Sequence, residues 1–196
     1  FKDTKTFEKI KSKVAAVLWE YGSFIERQSI FEELNIIKTP SYIYFKGKGE
    51  LYFKGNTLID ISTLSNGIGI SSEDLRDISM IIVKSRNIVT IENLTSFYKA
   101  NEPDCFYIYL GGYHNNARRN LINLINKFNP DKKYFHYGDI DAGGFLILNH
   151  LIQKTGIKFS PLNMNIETLN QNREYWKKLT DNDRQRLKKL KKESFS

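Results

Sequence analysis

The sequence predicts an α/β protein built on a parallel sheet flanked by helices, with a small N-terminal helical segment and a hairpin ahead of it. Three observations carry that prediction. From residue 88 to 164 the pattern reads strand, helix, strand, helix, strand, helix, strand, an alternation that pairs strands in parallel and lays helices on the sheet. The strand candidates at 88–91, 105–110 and 134–137 are nearly unbroken apolar or aromatic runs, as expected of strands covered on both faces. Two of them run directly into acidic residues and then a helix: Glu92 after the first, Asp139 and Asp141 after the third.

Residues 1–35 read as helical, with Phe7, Ile10, Val14, Val17 and Leu18 recurring at three- and four-residue steps. Gly22 interrupts the pattern, and Ser23 is the expected cap of a second helix through Ile30 and Leu34. Pro40 closes this part. Residues 41–54 alternate aromatic and polar side chains around Gly47, Lys48 and Gly49, the signature of a hairpin. A short helix is expected from Glu73 to Met80, capped by Ser71 or Ser72. After the strand at 88–91, a helix begins near Thr95. Gly111 and Gly112 follow the second strand, and then a helix carries Leu121, Leu124, Ile125 and Phe128 on one face. Asn129, Pro130 and Asp131 turn the chain into the third strand. A helix over 145–153 stops at Thr155 and Gly156, and a last strand is expected between Lys158 and Met164. From Ile166 the chain is helical and polar, and Lys177, Lys178, Arg184, Arg186, Lys188, Lys189, Lys191 and Lys192 crowd its end. The expected division is 1–40, 41–170 and 171–196.

Composition narrows the function classes. The hydrophobic share of 40% and the aromatic share of 13% supply a core, and the net charge of +8 favours a polyanionic partner. A single cysteine, Cys105, excludes an internal disulfide and a cysteine-based zinc site. No apolar run is long enough to span a membrane, and no signal peptide is visible. A cytoplasmic protein is expected. The chain begins at Phe1 rather than Met, so part of a longer protein is expected.

The chemistry centres on the acidic residues. In an open α/β sheet, ligands bind beyond the carboxyl ends of the strands. Glu92, Asp139 and Asp141 all follow strands, so a parallel sheet brings them to one edge. Close carboxylates repel one another and raise one another's pKa unless a cation intervenes. A hard ion such as Mg2+ or Mn2+ is the usual partner of such oxygens. That set serves phosphodiester or phosphoryl chemistry. Gly111 and Gly112 ahead of a helix offer a phosphate seat, with His114, Arg118 and Arg119 in the first turns as candidate nucleic-acid contacts. His136 reads as a core residue. Rival motifs fit less well. A calcium loop starting at Asp139 places Gly144 correctly but His150 where a bidentate glutamate belongs. No P-loop is present. A haloacid-dehalogenase-type phosphatase needs a hydroxyl residue where Gly143 stands.

Glu92 after a strand, then Asp139 and Asp141 around Ile140 after a later strand, then Gly143 and Gly144, resembles a Toprim domain, the α/β (Rossmann-like) module of topoisomerases, primases and related nucleases. Within that class the stretches 88–94, 110–113 and 137–148, and more weakly 161–169, are most similar to the JetD family of Wadjet plasmid-defence systems, itself similar to the A subunit of topoisomerase VI. The resemblance implies a Toprim-like fold and a Mg2+- or Mn2+-dependent DNA endonuclease with Glu92, Asp139 and Asp141 at the ion. It also implies double-stranded DNA as substrate and an SMC-type complex as partner. A homodimer is compatible with it. The family pattern carries an aspartate where this chain has Asn165, so no fourth carboxylate is carried over, and no attacking tyrosine is assigned. Two other readings stand beside it: a non-catalytic DNA-binding domain and a small-molecule phosphatase.

Overall fold

The computed structural model describes residues 4–193 except 25, 28, 29, 35, 37–40 and 112–115. The chain forms two compact units, 1–40 and 41–196. The first contains α1 (Thr4–Tyr21) and the short α2 (Ile30–Glu33). Phe7 and Phe31 meet edge to face at a centroid distance of 5.7 Å. Because α2 starts at Ile30, Ser23 does not cap it. No helix among the described residues is long and apolar enough to cross a membrane.

The second unit is α/β with two sheets. Its strands are β1 (Tyr42–Lys46), β2 (Gly49–Phe53), β3 (Leu58–Asp60), β4 (Ile68–Ser71), β5 (Ile78–Val83), β6 (Asn87–Ile91), β7 (Cys105–Tyr109), β8 (Lys133–Tyr137) and β9 (Phe159–Pro161). Its helices are α3 (Leu94–Lys99), α4 (Asn116–Phe128), α5 (Ala142–Thr155), α6 (Ile166–Gln171) and α7 (Asp181–Glu193). The main sheet has the order β4-β1-β7-β6-β8-β9, and the small sheet β3-β2-β5. Strands β7, β6, β8 and β9 run parallel, whereas β4 and β1 add antiparallel pairs at one side.

Central β6 shows why an unbroken apolar run becomes a doubly covered strand. Ile88 joins the core formed with Leu121, Ile122 and Ile125 of α4 and Leu148 and Leu151 of α5. Val89 and Ile91, on the alternate face, pack with Phe97 of α3 and Tyr107. Asn129 stitches the layers together. Its side chain accepts from Val83 N and donates to Ile81 O and Ile125 O, at 2.8, 2.8 and 2.7 Å, so the turn after α4 is bolted to β5.

Two expectations are corrected. The strands at 42–46 and 49–53 form, but they do not pair as a hairpin. β1 lies between β4 and β7, while β2 lies between β3 and β5. Gly47 sits at φ +128°, and a Cβ there would come within 2.9 Å of the Cys105 carbonyl and Phe106 Cα. The chain therefore uses its glycines to cross from one sheet to the other rather than to fold back. The expected helix over 73–80 is only a 3-10 turn, Asp74–Asp77, before β5. Ser71 does hold that turn: its Oγ accepts from Asp74 N at 3.0 Å. Ile78, Ile81 and Val83 are buried, and their β-branched side chains favour the extended backbone.

Candidate functional site

Strand register builds the site. Thr90 of β6 lies opposite His136 of β8, and Ile91 opposite Tyr137. The Glu92 N–H donates to Tyr137 O at 3.0 Å, extending the ladder one residue past β6. Side chains alternate, so Glu92 projects on the same side as Thr90, toward the position of Gly138. A Cβ on Gly138 would stand 2.8 Å from Glu92 Oε2 and 2.9 Å from His136 Nε2. Absence of that carbon lets both groups close over the backbone.

Both atoms are buried, and neither has a hydrogen-bond partner among the described residues. Leaving such an atom unpaired costs about 1–3 kcal/mol, and Glu92 Oε2, at the strand end, is the one that adjoins the cleft. Glu92 has its pKa raised, first by burial and then by the nearby Asp139 and Asp141 charges, while the Asp139 backbone N–H partly opposes the shift. His136 is fully buried. Burial pushes its pKa down to about 4, so the ring is neutral near pH 7. Thr90 Oγ1 donates to Phe135 O at 3.1 Å and lies 3.0 Å from His136 Nδ1. The threonine hydroxyl thus holds the Nδ1 side of the ring, and Nε2 is the side turned toward Glu92.

Asp139 and Asp141 are exposed in the loop after β8. Asp141 caps α5: its Oδ1 accepts from Gly144 N at 2.8 Å, satisfying one free N–H of the helix start. Gly144 allows the loop to touch the helix, since a Cβ there would lie 2.2 Å from Asp139 O. On the neighbouring strand end, Asn93 caps α3 by accepting from Thr95 N and Ser96 N. A cleft of about 290 Å³ opens between these ends, lined by Glu92, Asn93, Thr95, Tyr109, Gly111 and Asp139 among others. Gly111 has φ +65°, a conformation that favours glycine.

The structure thus brings Glu92, Asp139 and Asp141 to one edge of the sheet, with Gly111 beside them. Their oxygens are the donors a hard divalent ion prefers, and the orphaned Glu92 Oε2 is an acceptor awaiting a cation or a donor. Among the described residues, no three His, Cys, Asp or Glu side chains close tightly enough to hold an ion together. Mg2+ is commonly held by one or two carboxylates, with water and substrate oxygens completing its shell, and the donor set fits that mode. Gly112 and His114 lie outside the described residues. Arg118 packs over the Tyr109 ring at 5.9 Å, and burial lowers its pKa. Arg119 turns back to Asn116 on its own helix. Asn165 caps α6, accepting from Thr168 N at 2.8 Å.

Two neighbours escaped sequence reasoning. His136 reads as core and is core, yet its Nε2 adjoins Glu92; only the β6–β8 register reveals that. Arg186 is one cation in a basic run, and nothing in the sequence singles it out. In the fold, α7 packs on α5, and Arg186 Nη1 comes within 3.3 Å of where a Gly143 Cβ would be.

The profile of the family described as "Wadjet protein JetD, C-terminal" matches residues 58–195. The chain belongs to this JetD C-terminal family. It is also similar to the Wadjet protein JetD of Bacillus cereus (strain Q1), with 26% identity over 97% of this chain and 48% of that protein. The chain therefore spans about half the length of the curated JetD it matches. The family match takes in β3 through α7, and with them Glu92, Asp139, Asp141 and Arg186.

Proposed function

We propose that this chain is the DNA-cleaving, Toprim-like module of a Wadjet plasmid-defence system. In this reading it hydrolyses phosphodiester bonds of double-stranded DNA with Mg2+ or Mn2+ at the edge shared by Glu92, Asp139 and Asp141, one or two of them binding the ion directly and water and substrate oxygens completing its shell, and an SMC-type complex presents the DNA. One observation carries the reading: a buried Glu92 oxygen without a partner, at the carboxyl edge of a parallel sheet, under the charge of two exposed aspartates. Membership in the JetD family supports the plasmid-defence setting.

A bound divalent ion would supply positive charge to the phosphate and to the leaving oxygen. The chain's own residues do the rest. Asp139 and Asp141 would hold the ion from a loop pinned by the α5 cap. Glu92 would share the ion or, standing beside it, act as the acid or base that moves a proton at Oε2; without an ion its pKa is raised by burial and by its acidic neighbours. In hydrolysis a water oxygen bonds to phosphorus, the phosphorus–O3′ bond breaks, and O3′ leaves with a proton. The +8 charge of the chain favours the polyanionic substrate.

Tested on plasmid together with its SMC-type partners, the protein is expected to nick or linearise the DNA with Mg2+ or Mn2+. A chelator should abolish cleavage, and added Mn2+ should restore it. Cleavage that persists in excess chelator would contradict the reading. The rival reading, a domain that holds DNA without cutting it, draws on the open spacing of the three carboxylates. It predicts duplex binding with no metal-dependent cleavage.

A further inference from the structure

We propose that Arg186 is a catalytic residue of this site: its guanidinium contacts the phosphate that undergoes cleavage. The inference rests on the nuclease reading above and adds to it a residue from the far end of the chain.

The start of α7 is fixed by a reciprocal cap. Asp183 Oδ2 accepts from Thr180 N at 2.8 Å and from Thr180 Oγ1 at 2.7 Å, while Asp183 N donates to Thr180 Oγ1 at 3.2 Å. Asp183, Leu187 and Leu190 are its half-buried positions, at the spacing of one helix face, and α7 packs on α5. Arg186 borders that face. Its Nη1 lies 3.3 Å, and Asp141 Oδ1 3.1 Å, from the point where Gly143 would carry a Cβ. Glycine at 143 leaves the approach open. A guanidinium from the C-terminal helix therefore stands over the first turn of α5, beside a proposed metal-side carboxylate.

Arg186 forms no ion pair with a carboxylate among the described residues. The nearest helical candidate, Asp183, spends an oxygen on the Thr180 cap, and its pKa is lowered mainly by that cap, with Arg186 a lesser contributor. Arg186 thus keeps its planar fork of donors for an incoming group. Phosphate oxygens match that fork in geometry and sign. Asp141 and Asp139 discourage any other anion from resting there unless a cation accompanies it. A phosphodiester arriving with a divalent ion meets both conditions.

The test compares plasmid nicking by wild type, Arg186→Ala, Arg186→Lys and Lys178→Ala, each assembled with its SMC-type partners, at several DNA concentrations. Lys178 is exposed and carries the same charge outside α7. Arg186→Ala is expected to lower the maximal rate about 100-fold, as loss of one transition-state donor does, with half-saturating DNA and Mn2+ affinity nearly unchanged. Arg186→Lys should recover part of the rate, and Lys178→Ala should keep the wild-type rate. An Arg186→Ala rate close to wild type, or an equal fall in Lys178→Ala, overturns the inference while leaving the nuclease reading intact. A wild type that cleaves nothing overturns both.

Discussion

Glu92→Gln is expected to lower plasmid cleavage by about 100- to 1,000-fold while leaving duplex binding unchanged and the protein at least as stable. The substitution keeps shape and removes charge. In the wild type that carboxylate is partly buried, lacks a partner at Oε2 and faces Asp139 and Asp141. All three features disfavour its ionised form in the fold, so a neutral amide relieves repulsion. Stability and activity should therefore move in opposite directions, which simple misfolding cannot produce. Asp139→Asn should lose activity similarly, because it removes a proposed metal-side charge, and should keep its stability, because that carboxylate makes none of the described hydrogen bonds or ion pairs. Asp141 needs more care. It caps α5 through Gly144 N, and alanine there would cost about 1 kcal/mol of helix stability in addition to any chemical loss. Asparagine caps equally well, so activity lost in Asp141→Asn belongs to the charge. Nicking rates and thermal melts of the same preparations check all three.

Gly144→Ala is expected to be the most damaging glycine substitution at the site. Its Cβ would fall 2.2 Å from Asp139 O and 3.1 Å from Asp139 N, both backbone atoms that cannot swing aside. Relief requires moving the whole 139–141 loop off α5. Overpacking of this kind costs about 1–3 kcal/mol or more, and the displaced Asp139 should take cleavage with it. Gly138→Ala should behave differently. There the new carbon meets the ends of two side chains, Glu92 Oε2 and His136 Nε2. Glu92 can rotate away, so the fold should lose less while activity still falls. Urea unfolding should rank the stability losses Gly144→Ala above Gly138→Ala, with both variants impaired in cleavage. Equal stability of wild type and Gly144→Ala would mean that the loop does not lie against the helix as described.

The parallel core was legible because it depends on local pattern. The β-branched run of β6 and the aromatic run of β8 form where expected, and Glu92 and Asp139 follow them onto one edge. Parallel pairing alone forces that convergence. The hairpin at 41–54 was misread because its strands are locally correct but choose distant partners. Phe45 and Lys46 pair with Ile108 and Tyr107, whereas Glu50 and Leu51 pair with Ile82 and Ile81. Glycines suited to a tight turn are equally suited to a crossover between sheets. The helix expected over 73–80 failed for a related reason: a strand partner for 78–83, supplied by β2, outweighed a short helical pattern. Arg186 was illegible altogether. Its position follows from the packing of α7 on α5, and a lysine-rich run offers no local mark of which cation will face the site. His136 lay between these cases: its burial was readable, but the place of its unpartnered Nε2 beside Glu92 was not.

A calorimetric titration of Mn2+ into the wild-type protein and into Asp139→Asn measures directly whether the strand-end carboxylates bind an ion together. Shared ion binding by strand-end carboxylates predicts a saturable site in the wild type and an affinity at least about tenfold weaker in the variant. Equal Mn2+ binding by the two proteins, or no saturable binding by the wild type, would contradict it.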